Sequence, residues 1–96
     1  MYVIRETFTA KPGQASKLAK MFSEMSKEMP APGNKSRVLT DFIGPYNTVV
    51  WEMEVKEIGE FEKMMKEYAA KPEATKKMTG YTEMYLTGKR EIYRVV

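Results

Sequence analysis

Three side chains in this sequence have the types and spacing to do chemistry: Glu6, Asn47 and Trp51. Asn47 and Trp51 stand four apart, so both fall on one face of a strand if Asn47 is still extended. An indole beside a carboxamide holds a flat polycyclic molecule and polarises its oxygen. Glu6 belongs to the run Tyr2, Ile4, Glu6, Phe8, which alternates with period two. A carboxylate on that apolar face is short of water, binds its proton more tightly and can serve as a base. Each has a plainer reading. Glu6 reaches the sheet edge, or pairs with Arg94 or a helix lysine. Asn47 ends a tight turn, where Asn is favoured for local backbone reasons. A lone Trp in a small domain is usually core.

These residues need elements to position them, and the order of elements is legible. A strand over 2–9 ends at Pro12-Gly13. A helix over 14–29 carries Ala15, Leu18, Phe22, Met25 and Met29 on one stripe, and Pro30-Ala31-Pro32-Gly33-Asn34 stops it. Strands over 35–43 and 48–55 flank the turn Gly44-Pro45-Tyr46-Asn47. A second helix over 57–70 turns Ile58, Phe61, Met65 and Tyr68 inward. Pro72 opens a third helix over 73–85, with Ala74, Met78, Tyr81 and Tyr85 on one side. Gly88 precedes a closing strand over 90–96. The order is β-α-β-β-α-β: an α+β, ferredoxin-like sandwich whose four-stranded antiparallel sheet runs 4-1-3-2, with an extra short helix before the last strand.

The short turn between strands two and three predicts a register in which Val38 opposes Met53, Thr40 opposes Trp51 and Phe42 opposes Val49. The other face then pairs Leu39 with Glu52 and Arg37 with Glu54. The apolar face belongs under the helices and would wall a pocket. Phe22 comes from the first helix, Phe42 and Met53 from the sheet, Phe61, Met65 and Tyr68 from the second helix, and Tyr81 from the third. Ordinary core filling by methionines is the competing account of the same spacing. The opposite face carries Arg5, Arg37, Leu39, Val50, Glu52 and Glu54. A sheet-to-sheet homodimer would cover its aliphatic groups and use its ion pairs to fix register.

Composition closes several routes. The 96 residues include no histidine and no cysteine, which removes Ser-His-Asp chemistry, His-ligated zinc, thiolate chemistry and a disulfide framework. No metal site and no cofactor is expected. One domain over 1–96 fits the length. The formal charge of +3 is spread as alternating Lys and Glu, the pattern of a solvated helix face. No run approaches the roughly 20 apolar residues of a membrane helix, and no basic-then-apolar leader opens the chain. A cytoplasmic protein off the membrane is expected. RNA-recognition domains share this order of elements, but Glu52 and Glu54 on the open face of strand three would repel phosphate, so no nucleic-acid partner is expected.

The run Ile4-Arg5-Glu6-Thr7-Phe8 followed by Lys11-Pro12-Gly13, the hairpin Gly44-Pro45-Tyr46-Asn47-Thr48 and the ending Gly88-Lys89-Arg90-Glu91-Ile92 together resemble the dimeric α/β-barrel superfamily. The similarity is greatest to NIPSNAP-like and antibiotic-biosynthesis-monooxygenase-type proteins. It implies two ferredoxin-like subunits packed sheet to sheet, with ligands held between sheet and helices. It also implies a place for Asn47 and Trp51 like that of the Asn and Trp of the superfamily's cofactor-independent quinol monooxygenases. The haem degraders of the superfamily use a histidine ligand that this chain lacks. Three functions follow as expectations: a homodimer binding a small apolar or aromatic molecule; a cofactor-independent monooxygenase acting on a polycyclic phenol or quinol through Trp51, Asn47 and Glu6; and a non-catalytic structural or interaction dimer.

Overall fold

The computed structural model describes residues 1–28 and 35–96. Met29 and the expected helix stop at 30–34 lie outside the described residues. The elements run β1 (Tyr2–Ala10), α1 (Ala15–Glu28), β2 (Ser36–Thr40), β3 (Thr48–Val55), α2 (Ile58–Ala69), α3 (Pro72–Met78), a 3-10 turn (Tyr81–Glu83) and β4 (Tyr85–Arg94). The four strands form one antiparallel sheet in the order β2-β3-β1-β4. This is the expected ferredoxin-like arrangement, and the described helices lie on one face of the sheet.

Period-two alternation decides which side chains meet the helices. On β1 and β3, Ile4, Val49, Trp51, Met53 and Val55 are buried, and they pack against Leu18, Phe22 and Met25 of α1 and Phe61, Met64 and Tyr68 of α2. The stripe on α1 matches its expected spacing. On α2 the buried face is rotated slightly, so Met64 is buried, Met65 half-buried and Ile58 exposed. Gly13, at φ 82°, supplies the left-handed residue that turns β1 into α1.

The hairpin departs from its expected register. Val38 opposes Trp51, not Met53, and Arg37 opposes Glu52, not Glu54. Asp41 sets this by closing the loop at both ends: its Oδ1 accepts from the Thr48 N–H at 2.9 Å, and its own N–H donates to the Thr48 carbonyl at 3.2 Å. The loop is therefore two residues longer than expected. A slip of two leaves every side chain on its expected face, because the side-chain period is two. Phe42, however, leaves the sheet. It lies in the loop beyond β2 and is 96% exposed, so it walls no pocket.

The expected helix over 73–85 is also corrected. Thr79 is already extended and Gly80 adopts φ 85°, which ends α3 and admits only the short turn Tyr81–Glu83. Tyr85 then opens β4 opposite Ala10, five residues earlier than expected.

Candidate functional site

The site is one cross-strand row on the helix-facing side of the sheet. The register aligns Val38, Trp51, Glu6 and Arg90 on β2, β3, β1 and β4. Above it, Phe22 stacks on Trp51 with ring centres 5.2 Å apart, and Phe8 and Tyr81 lie 5.0 Å and 6.2 Å from Phe22. These rings, with Met25, Met53, Phe61, Met65 and Met78, line a cavity of about 70 Å³ in which Glu6 and Arg90 supply the charge.

Arg90 donates through Nε to Glu6 Oε1, and its guanidinium lies over the Phe61 ring, 5.0 Å from the centroid. The Glu6 side chain is only 15% exposed, whereas Arg90 is half exposed. Arg90 reaches in from the edge strand and answers the carboxylate's charge at the cavity mouth. Glu6 thus lines the cavity with Trp51, Phe8 and Met53, and its partner is Arg90, not Arg94 or a helix lysine. Arg94 lies instead with its guanidinium 5.9 Å from the Tyr2 ring.

Trp51 serves as floor. Its Nε1 donates to Ser36 Oγ at 2.8 Å, and Ser26 Oγ on α1 donates to the same oxygen at 2.7 Å. The indole N–H is therefore spent within the protein, and the ring offers a ligand only its surface. Asn47 does not join it. It sits at φ 62°, a left-handed turn residue whose carbonyl accepts from Ala10 N–H at 2.8 Å. At that angle the strand's alternation has not begun, so the expected indole–carboxamide pair is not formed.

Of the expected pocket residues, Phe22, Met53, Phe61, Met65 and Tyr81 line the cavity. Tyr68 does not: it is buried in the core, with its hydroxyl 3.4 Å from Glu28 Oε2. Burial raises the Tyr81 hydroxyl above the usual phenol range, and the neighbouring Tyr85 and Glu6 add to this against the opposing pull of Arg90. Tyr81 therefore presents a protonated O–H donor near the carboxylate. Arg90, Phe8, Met25 and Met78 were missed as site residues. Phe8 and Arg90 share the parity of Glu6 across the β1–β4 register, the signal that could have found them.

The opposite face of the sheet carries a second constellation. Arg5 and Arg37 both bind Glu52, at 2.7 Å and 2.9 Å. Burial pushes the Glu52 carboxyl up, but hydrogen bonds from Arg37 and Arg5 outweigh it and hold the group below the usual carboxylate range. A shallow hollow of about 440 Å³ lies here, lined by Val3, Lys35, Glu54 and this triad. Within it Glu52 is paired with both arginines.

Sheet order, helix placement and a helix-side cavity define a ferredoxin-like α+β protein. No family model matches the chain, and no curated protein matches it. Solved structures do share the fold. A NIPSNAP domain protein from Burkholderia xenovorans is similar at TM-score 0.81 and 14% identity, over 100% of this chain and 95% of that one. A NIPSNAP family protein from Agrobacterium tumefaciens aligns at TM-score 0.83 and 14% identity, over 99% and 92%. An antibiotic biosynthesis monooxygenase aligns at TM-score 0.71 and 13% identity, over 100% and 99%. Among the described residues, no helix is long and apolar enough to cross a membrane.

Proposed function

We propose that this chain forms a homodimer in the cytoplasm and binds a small apolar or aromatic molecule between its helices and its sheet. One observation carries the reading: an aromatic and methionine lining converges on a single ion pair, Glu6–Arg90, at the mouth of a cavity. Apolar walls with a few convergent polar groups are the usual composition of a ligand pocket. The cavity's 70 Å³ holds a few water molecules, against roughly 300 Å³ for a typical ligand site. Binding therefore requires the walls to move. Four of the lining residues are unbranched methionines, Met25, Met53, Met65 and Met78, which repack at low cost. The dimer reading is supported by Leu39 and Tyr93, 39% and 45% exposed on the sheet face opposite the helices.

The single tryptophan is a built-in reporter. Titration with naphthalene, 1-naphthol and a dihydroxyanthracene should quench Trp51 emission saturably, and Met65→Phe, which fills the cavity, should weaken the effect about tenfold. Quenching that stays linear for every compound, with the same slope in the variant, refutes ligand binding. A second reading, a cofactor-independent monooxygenase acting on a polycyclic phenol, draws on the fold shared with the antibiotic biosynthesis monooxygenase. Of the residues it would employ, Glu6 and Trp51 meet the cavity and Asn47 does not. Oxygen uptake with the dihydroxyanthracene supports it, and no uptake while the compound binds counts against it.

A further inference from the structure

The cavity between helices and sheet already holds a cation at its mouth. Arg90 reaches in from the edge strand β4, donates through Nε to Glu6 Oε1, and lays its guanidinium over the Phe61 ring, 5.0 Å from the centroid. Phe8, Phe22, Trp51 and Tyr81 complete an aromatic lining around the same carboxylate. Among the described residues the Glu6 carboxylate has no second ion-pair partner. Ring faces attract positive charge, and a cage of them is how proteins hold ammonium and guanidinium groups. Here a carboxylate stands inside the cage, and the group it holds is the chain's own side chain.

From this arrangement we infer that the cavity takes an organic cation, an ammonium or guanidinium head on an apolar body, and that Arg90 is its built-in competitor. The inference rests on the pocket reading above and names the class of ligand. Arg90 is half exposed and belongs to an edge strand, so its side chain can swing out into water. Glu6 sits on the inner strand β1 with its side chain 15% exposed, and it cannot follow. A molecule entering at the mouth takes the place of the guanidinium. If it is neutral, it leaves a mostly buried carboxylate without its counter-charge, which is strongly unfavourable. An anion sets a second negative charge beside the first. A cation restores both lost interactions, the pairing with Glu6 and the contact with the Phe61 ring. The departing guanidinium also vacates room next to the cavity of about 70 Å³, and the incoming head fills it. A neutral aromatic molecule can still lodge behind the closed pair, but it gains nothing from Glu6.

The test titrates the full chain with two compounds of one shape, phenyltrimethylammonium and its neutral isostere tert-butylbenzene, and follows Trp51 emission. Wild type should bind the cation about tenfold more tightly than the isostere. Arg90→Ala removes the competitor and should widen that preference by roughly another tenfold. Glu6→Gln should abolish it. Methylguanidinium, which stands in for the lost side chain, should raise the melting temperature of Arg90→Ala at millimolar concentration. It should not do so for the double variant Glu6→Gln, Arg90→Ala. Circular dichroism checks the fold of each variant, and Arg90→Gln replaces Arg90→Ala in both measurements if the latter does not fold. Equal affinity of the two compounds for wild type and for the arginine variant leaves the pocket reading standing and overturns the cation. A preference that persists in Glu6→Gln overturns it too, because the cation then binds elsewhere. If neither compound binds wild type or any variant, the pocket reading fails and this inference fails with it.

Discussion

Arg90 and Glu6 face each other across the β4–β1 pair, and the arginine's Nε holds the carboxylate at the mouth of an otherwise apolar cavity. Removing either partner strands the other. Arg90→Ala should cost on the order of 2 kcal/mol, because it leaves a mostly buried carboxylate without its donor. Glu6→Gln should cost less, since Arg90 is half exposed and regains water. Urea unfolding of both variants and of the double variant measures the coupling. Strictly additive losses would mean that the pair contributes nothing.

Gly88 is where β4 passes beneath the ring of Phe8. A methyl group at this position would sit 2.9 Å from two carbons of that ring. Gly88→Ala should push Phe8 toward Phe22 and destabilise the fold by about 1–3 kcal/mol. For a domain of this size each kcal/mol lowers the melting temperature by about 4–8 °C. An unchanged melting temperature would show that the ring moves aside freely.

Glu52 predicts an acid limb. Its folded pKa lies below the ordinary value of 4.5, because Arg37 and Arg5 together outweigh burial. An unfolded chain therefore takes up this proton first as the pH falls. The stability gained from the triad is full above the unfolded value and drains away as the pH drops through the folded one. Glu52→Gln should lose about 2 kcal/mol at neutral pH and show a flatter acid limb below pH 4.5. Thermal melts from pH 7 downward check this; parallel curves would exclude the triad as the source.

Tyr68 and Tyr81 predict an alkaline limb of the opposite sense. Burial raises both hydroxyls above 10.0. The unfolded chain ionises first as pH climbs, so stability falls above pH 10 toward the folded values. Phenolate absorbance should lag in the folded protein, and Tyr81→Phe should remove part of the late-ionising fraction. A single titration step at the free-phenol value would refute the burial of these groups.

Much of this could be read from the chain. Alternation along 2–9 and 48–55 assigned each strand residue to its face, and hydrophobic spacing placed Leu18, Phe22, Met25, Phe61 and Tyr68 inward. Alternation has period two, so it could not distinguish the hairpin register from one slipped by two. That choice fell to Asp41, whose side chain fixes the loop. Phe42 was assigned inward because its parity was right, yet parity says nothing about where a strand stops.

The sequence by itself determined the order of elements and the two characters of the sheet, because both arise from local periodicity and from Pro and Gly at the breaks. Only the tertiary structure decided the site. Arg90 is 84 residues from Glu6, and which arginine of the last strand would reach it depended on the β1–β4 register. A register shift between Thr9 and Ala10 also separates that ladder from the start of β4 at Tyr85. Asn47 was lost to the site by a single backbone angle, set by the turn it closes. Contacts of this range answer to how strands are stacked, which no local pattern of residues encodes.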